Sequence, residues 1–522
     1  FCMKNDRDQQ ESRPEDEASA HRDPPITLRQ SLRHLGPGMI IAAAIVGSGE
    51  LIATTKVGAE AGYQLLWLIL IGCGIKVFTQ VEFGRYTITW NQTSLRALDS
   101  VPGPRWRVNW LVWYWVVVMV LTLSQMGGIL GAIGQTLTIA QPITQQGADY
   151  NRLQDDAIRG ERVTLEMSQA RGEEASSSTA QRDAMDAKEQ LDNAEEPLDV
   201  RIWAAIIAVL TSAILYFGRY SLIQTFATAM VVSFTVITVI TVCLLQTKPD
   251  WAVRGEDIIL GLSFRLPEVV EGVTANPLAT ALAAFGIIGI GAAELIIYPY
   301  WVLEKGYARF TGPRDESPQW IARARGWMRV LQLDAWTAMV TYTVATVAFY
   351  LLGAAVLGGA GLNPQDKDLV RTLAEMYKPV FGDWTPKVFL SGAFAVLYST
   401  FFVVSASYAR LMTDALGMFG LLADTERARS TSIRVISVGW PIMAFVIYTF
   451  VQAPVAMVLA AGISQSIMLP MLGFAALYFR YRRCDRRLSP GRLWDVLLWL
   501  SCAGFLVAGI WALISTLEKF LG

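Results

Sequence analysis

The sequence predicts an all-α polytopic membrane protein of about eleven transmembrane helices, and three observations predict it. Hydrophobic residues make up 53% of the 522 and charged residues only 17%, against about 25% charged in ordinary soluble domains, and the mean hydropathy is +0.36. Apolar runs near the roughly 20 residues that cross a bilayer recur along the chain. Lys and Arg collect in alternate connections between those runs, as they do when basic loops stay cytoplasmic.

Residues 1–35 come first. They begin polar and charged, lack the apolar core of a signal peptide, and read as a cytosolic N-terminal tail. Residues 36–144 hold spans at 37–57, 63–84 and 109–138. Residues 145–199 are long and hydrophilic, without Gly or Pro between Gly172 and Pro197, and are expected to be an extracytoplasmic helical or disordered insertion, chemically idle. Residues 200–479 hold spans at 201–218, 221–246, 278–303, 329–357, 384–412, 432–452 and 454–479. Residues 480–522 form a cytosolic loop and a last span at 492–516. Arg29 and Arg33 precede the first span, Arg85, Arg96, Arg105 and Arg107 follow the second, Lys305, Arg309, Arg314, Arg323 and Arg325 follow the sixth, and Arg480, Arg482, Arg483, Arg486 and Arg487 follow the tenth. All four sets fall on one side, which puts the N-terminus in the cytoplasm and the C-terminus outside a cell (inner) membrane. Five scattered cysteines form no disulfide framework and no CxxC metal site. A net charge of -1 calls for no nucleic-acid partner; membrane lipid and a small ion are the expected partners of a monomeric chain.

Two of the spans carry groups that lipid does not tolerate. In the first, Ile45-Val46-Gly47-Ser48-Gly49-Glu50 places two glycines and a carboxylate mid-helix; in the sixth, Gly289-Ile290-Gly291-Ala292-Ala293-Glu294 repeats the arrangement, with Pro299 beyond. Glycine loosens the helix and frees carbonyls, and a half-helix terminus offers a polarised edge, which is how transporters build mid-membrane ion sites. The two motifs lie five spans apart, as two inverted halves require, so Glu50 and Glu294 converge on one site and a divalent cation neutralises both. Either segment alone also admits a reading as a close-packing device, with its Glu paired to Lys76 in the second span.

Leu35-Gly36-Pro37-Gly38 leading to Gly-Ser-Gly-Glu, then Gly62-Tyr63-Gln64-Leu65-Leu66-Trp67, Gln80, Ser464-Gln465 and Leu469-Pro470 make the chain resemble the Nramp metal-transporter superfamily. The resemblance implies a LeuT-like inverted repeat, spans 1–5 and 6–10, with broken helices 1 and 6. It also implies an ion site that includes Gly47, Ser48, Glu50, Gly291, Ala293, Glu294 and Gln465. The departures point to a harder ligand set. The family's Asp-Pro-Gly-Asn falls on Gly47 to Glu50, so the carboxylate has moved along the helix. The family's Met-Pro-His falls on Ala293-Glu294-Leu295, so the thioether and imidazole are gone. Carboxylate, carbonyl and water suit Mg2+, Ca2+ and Mn2+, whereas thioethers favour transition metals, and the pattern resembles the Nramp-related magnesium transporters. Gln125 and Gly128 stand where the metal importers carry an acidic pair for proton coupling, and the chain's only histidines are His21 and His34. Mg2+, with Mn2+ second, is therefore the expected transported substrate, with no resident cofactor and no proton coupling.

The alternative is a transporter of the same fold for an amino acid or other small organic solute, with Tyr298 and Tyr300 as pocket walls. A membrane enzyme is not expected, because no Walker loop, HExxH or nucleophile elbow is present. Asp334 and Asp414 read as interface or gate residues paired with Arg.

Overall fold

The computed structural model describes residues 21–171, 186, 189–190, 193–195, 197–217, 220–267 and 276–521. Among them, ten helices are long and apolar enough to cross a membrane: Pro37–Ala61, Leu66–Trp90, Trp110–Ala140, Leu198–Phe217, Thr228–Leu245, Pro318–Gly358, Thr385–Met418, Glu426–Val451, Pro454–Arg483 and Arg492–Glu518. These are spans 1–5 and 7–11. Span 6 completes the eleven but is cut into two half-helices, Pro277–Phe285 and Ala292–Lys305, each too short to cross alone. Span 7 begins at Pro318, well before the expected 329, because its first turns are too charged to register as apolar. A two-residue antiparallel pairing of Arg105–Trp106 with Val108–Asn109 interrupts the helical pattern after span 2.

The contacts repeat with a five-span offset. Span 3 packs on span 10 as span 8 packs on span 5, and span 3 packs on span 4 as span 8 does on span 9. Likewise span 1 packs on spans 5 and 7 as the halves of span 6 pack on spans 10 and 2. This is the inverted repeat of the LeuT-like architecture, and span 11 lies outside it, against spans 10 and 2.

Span 1 starts at the Gly36 cap with Pro37 in its first turn, where a missing N–H does no harm. Its interruption is not an unwound stretch but a π-helix, Val46–Thr54. The Thr54 hydroxyl donates to the Gly49 carbonyl at 2.9 Å and that of Thr55 to the Glu50 carbonyl at 3.4 Å. Both reach five residues back, the spacing of the wider helix, a geometry frequent at functional sites.

Span 6 breaks outright. Its first half ends at Phe285, Gly289 turns the chain at φ +60°, and Gly291 caps the second half. A side chain at Gly289 would meet the Cys73 backbone of span 2, so both conformation and space demand glycine there. The insertion is helical over Gln145–Arg171; the expected second arm of a hairpin falls mostly outside the described residues.

Candidate functional site

Span 1 and the break in span 6 meet at their glycines. A side chain at Gly49 would strike the Ile287 carbonyl, and this close approach carries the next residue, Glu50, into the break. Glu50 Oε1 accepts from the Gly289 amide at 3.1 Å and from the Thr346 hydroxyl of span 7 at 3.0 Å. Its other oxygen, Oε2, is buried with no hydrogen-bond donor, and the residue is 0% exposed. A buried carboxylate oxygen without a donor is costly unless a cation completes it.

Glu294 occupies the third position of the second half-helix, where the helix dipole favours a carboxylate. Its Oε2, the Oε1 of Gln465 in span 10 and the Gly286 carbonyl converge beside Gly291, on space that only the missing side chain of that glycine leaves free. Glu50 and Glu294 thus approach the break at Gly289 and at Gly291, two residues or at most about 7 Å of backbone apart.

Gln465 Oε1 accepts from the Ala293 amide at 3.1 Å. Its Nε2 donates to Gln125 Oε1 at 3.2 Å, and Gln125 Nε2 donates to the Ser48 hydroxyl at 3.0 Å. A single polar chain therefore links spans 6, 10, 3 and 1: Ser48, Gln465 and the Ala293 backbone lie in it, Glu294 and Gly291 lie beside Gln465, and Glu50 bonds separately to Gly289 and Thr346. Gly47 stands apart from that chain: its amide donates to the Thr400 hydroxyl at 2.9 Å and its Cα face presses on span 8. Among the described residues no three His, Cys, Asp or Glu side chains cluster together; the oxygens the break offers are those of Glu50, Glu294, Gln465 and the Gly286 carbonyl.

Thr346 is the participant the sequence does not single out, one of several threonines on span 7. Gln125 marks the loss of an acid in the sequence but bridges Ser48 and Gln465 in the structure. Lys76, expected as a counter-ion, makes no ion pair with either carboxylate: its ammonium donates to the Phe285 carbonyl and, at 2.8 Å, to that of Ile288.

Polar contacts tie both ends of span 1 to neighbouring elements. On the side of the N-terminal tail, Asp334 accepts from the Gly36 and Gly38 amides at 2.8 and 2.6 Å and from the Tyr298 hydroxyl at 3.1 Å. It therefore caps span 1 instead of pairing with an Arg. Asp414 does pair with Arg96 at 3.3 Å, and accepts from Thr93 and from Tyr300 at 2.7 Å. On the far side, Lys56 of span 1 holds Asn363 and Pro364 in the loop between spans 7 and 8. The same loop receives Gln135 of span 3 at Asp366, Gln154 of the insertion at Lys367, and the first amides of span 10 at Asp366.

Residues 195–515 match the model of the family described as natural resistance-associated macrophage protein-like, Nramp. The divalent metal cation transporter MntH of Caldanaerobacter subterraneus is 27% identical over 119 residues, 23% of this chain and 28% of that protein. The metal transporter Nramp6.2 of Populus trichocarpa is 30% identical over 93 residues, 18% of this chain and 17% of that one; the aligned stretches thus span under a third of either relative. A crystal structure of a mutant manganese transporter of Eremococcus coleocola superposes with a TM-score of 0.63 over 96% of this chain and 90% of that one, at 14% identity, a likeness of fold.

Proposed function

The chain belongs to the Nramp family, and from that premise we propose that it carries divalent metal cations across a membrane by alternating access, with Mg2+ the main cargo, Mn2+ second, and no obligatory proton. The observation that carries the reading is the convergence of Glu294 Oε2, Gln465 Oε1 and the Gly286 carbonyl on the space beside Gly291, in the same break whose Gly289 amide holds Glu50, a carboxylate with a donor-less Oε2. All four are hard oxygens, the ligands of cations that keep part of their hydration. Metal relatives by name, MntH and Nramp6.2, support the cargo class and a carrier in place of an enzyme.

Proton coupling has little to work with. The site holds Gln125 in place of an acid, and His34 lies against Trp327 near the N-terminal tail. Tyr298 and Tyr300, the two aromatic residues considered for an organic solute, direct their hydroxyls to Asp334 and Asp414, which disfavours their use as pocket walls. The arginine-rich connections support a cytoplasmic N-terminus, an external insertion and an external C-terminus.

Calorimetry on the purified chain with Mg2+, Mn2+ and an amino-acid panel tests the proposal, with Gly291→Ala as the control that fills the convergence point. Mg2+ binding that is lost in Gly291→Ala is the expected result. Binding of an amino acid with no response to metal overturns it.

A further inference from the structure

Lys76 is 0% exposed in the middle of span 2, and its surroundings are those of a cation site. It donates to two carbonyls, Phe285 and Ile288; the first closes the first half-helix of span 6 and the second lies in the break. A helix C-terminus carries roughly half a negative charge. The ammonium also sits 4.7 Å from the centre of the Phe285 ring, within cation–π range, and within electrostatic reach of Glu50 and Glu294. In carriers built on broken helices, unwound carbonyls and half-helix C-termini are where a coupling Na+ or proton binds.

We propose that the Lys76 ammonium is a tethered coupling cation, permanently filling that position so that the divalent cargo moves without a co-transported ion. The inference rests on the metal-transport reading. Two buried carboxylates alone would leave the empty site at a formal charge of -2, which in a membrane recruits a proton or a cation before the carrier can reset. With Lys76 in place, the empty site stands at -1 and the site loaded with a divalent ion at +1, so the swing is symmetric and neither state needs a second ion. The carbonyls are held in turn: Lys76 fixes the first half-helix and the chain leading to Gly289, whose amide holds Glu50.

The test is flux of Mg2+ and Mn2+ into proteoliposomes, read by a trapped metal-sensitive dye at a potential set by a K+ ionophore. Wild-type flux should be equal in Na+ and choline media and indifferent to a pH gradient, with a reversal potential that follows two charges per metal. Lys76→Ala, which empties the position, should fall at least about tenfold in choline, the order seen when an outer partner of an ion site is removed, and recover several-fold in Na+. Lys76→Met, which fills the space without charge, should fall and not recover. Wild-type flux that requires Na+ or a proton overturns the inference, as does Lys76→Ala with wild-type flux in choline, or a folded Lys76→Ala that Na+ does not restore. If neither variant folds, the wild-type reversal potential decides by itself. A wild-type protein that moves no divalent ion in any medium refutes the proposed function instead, which separates the two failures.

Discussion

Replacing Glu50 or Glu294 by Gln removes one charge while keeping size, and the structure sets what each change should do. At Glu50 the glutamine carbonyl can take over the Oε1 bonds from Gly289 and Thr346, and its amide nitrogen then falls where Oε2 has no donor. Folding should therefore be little changed, since a donor-less carboxylate oxygen is exchanged for an uncharged amide nitrogen. Binding should not survive so well. A unit charge about 4 Å from a divalent ion contributes roughly 8 kcal/mol of attraction at an effective dielectric constant of about 20. Even if restored hydration offsets three-quarters of that, about 2 kcal/mol is left, a loss of roughly 30-fold in Kd. Independent effects would multiply to about 900-fold in the double variant, whereas two ligands of one ion should give a double variant hardly worse than either single one. Calorimetry with Mg2+, beside thermal melts, reads both quantities. Wild-type affinity in both single variants, or additive losses of stability with transport preserved, would refute the shared site and favour close packing as the role of both motifs.

Four further outcomes follow from the same geometry. Ala293→Met places a thioether one residue from Glu294 and should shift relative affinity from Mg2+ toward Mn2+ or Cd2+; an unchanged ratio in calorimetry would mean that the position does not face the ion. Asp334→Asn cannot serve both amides that Asp334 now accepts, so it should lower stability by about 1 kcal/mol in a thermal melt; an unchanged melt would remove Asp334 as the cap of span 1. Deleting the insertion between Thr144 and Asp199, which are bonded to each other at 2.6 Å, should leave Mg2+ affinity unaltered, because the hydrogen bonds of Ser48, Glu50, Gln125, Ala293 and Gln465 do not involve it; collapse of binding in a folded protein would give the insertion a role. Asp485, in the loop before span 11, is held well below the ordinary carboxylate range, first by the Arg487 hydrogen bonds and then by Arg314. A depressed carboxylate stabilises the fold above its unfolded-state value and stops doing so as pH falls through its folded value. Asp485→Asn should thus melt lower than wild type at neutral pH and converge with it in strong acid; a difference that persists at low pH would point to packing.

Much of this was legible because lipid imposes simple rules. Eleven apolar runs appear as eleven spans, and the repeated glycine-carboxylate segments meet where an inverted repeat must bring them. What was not legible concerns partners fixed only in three dimensions. No sequence rule says that the carbonyls orphaned at Phe285 and Ile288 face span 2, so Lys76 looked like a counter-ion to carboxylates. Gln125 was defined by the acid it lacks, although its amide bridges Ser48 and Gln465. Asp334 was matched to an arginine because charge pairing is visible in sequence and helix capping across 296 residues is not. Glycines 47 and 49 looked alike on paper, yet one presses on span 8 and the other admits the break in span 6.

The lysine in span 2 also sets a problem for biosynthesis. Its carbonyl partners lie 209 and 212 residues further along the chain, so at 5–20 residues per second the ribosome needs roughly 10–40 s to deliver them. Through that interval span 2 presents an unsatisfied charge that costs about 3 kcal/mol at the centre of a bilayer. Span 2 should therefore linger at the insertion machinery, or lie shallow, until span 6 emerges to receive it, and the late arrival of a broken helix would govern when an early one is released into lipid.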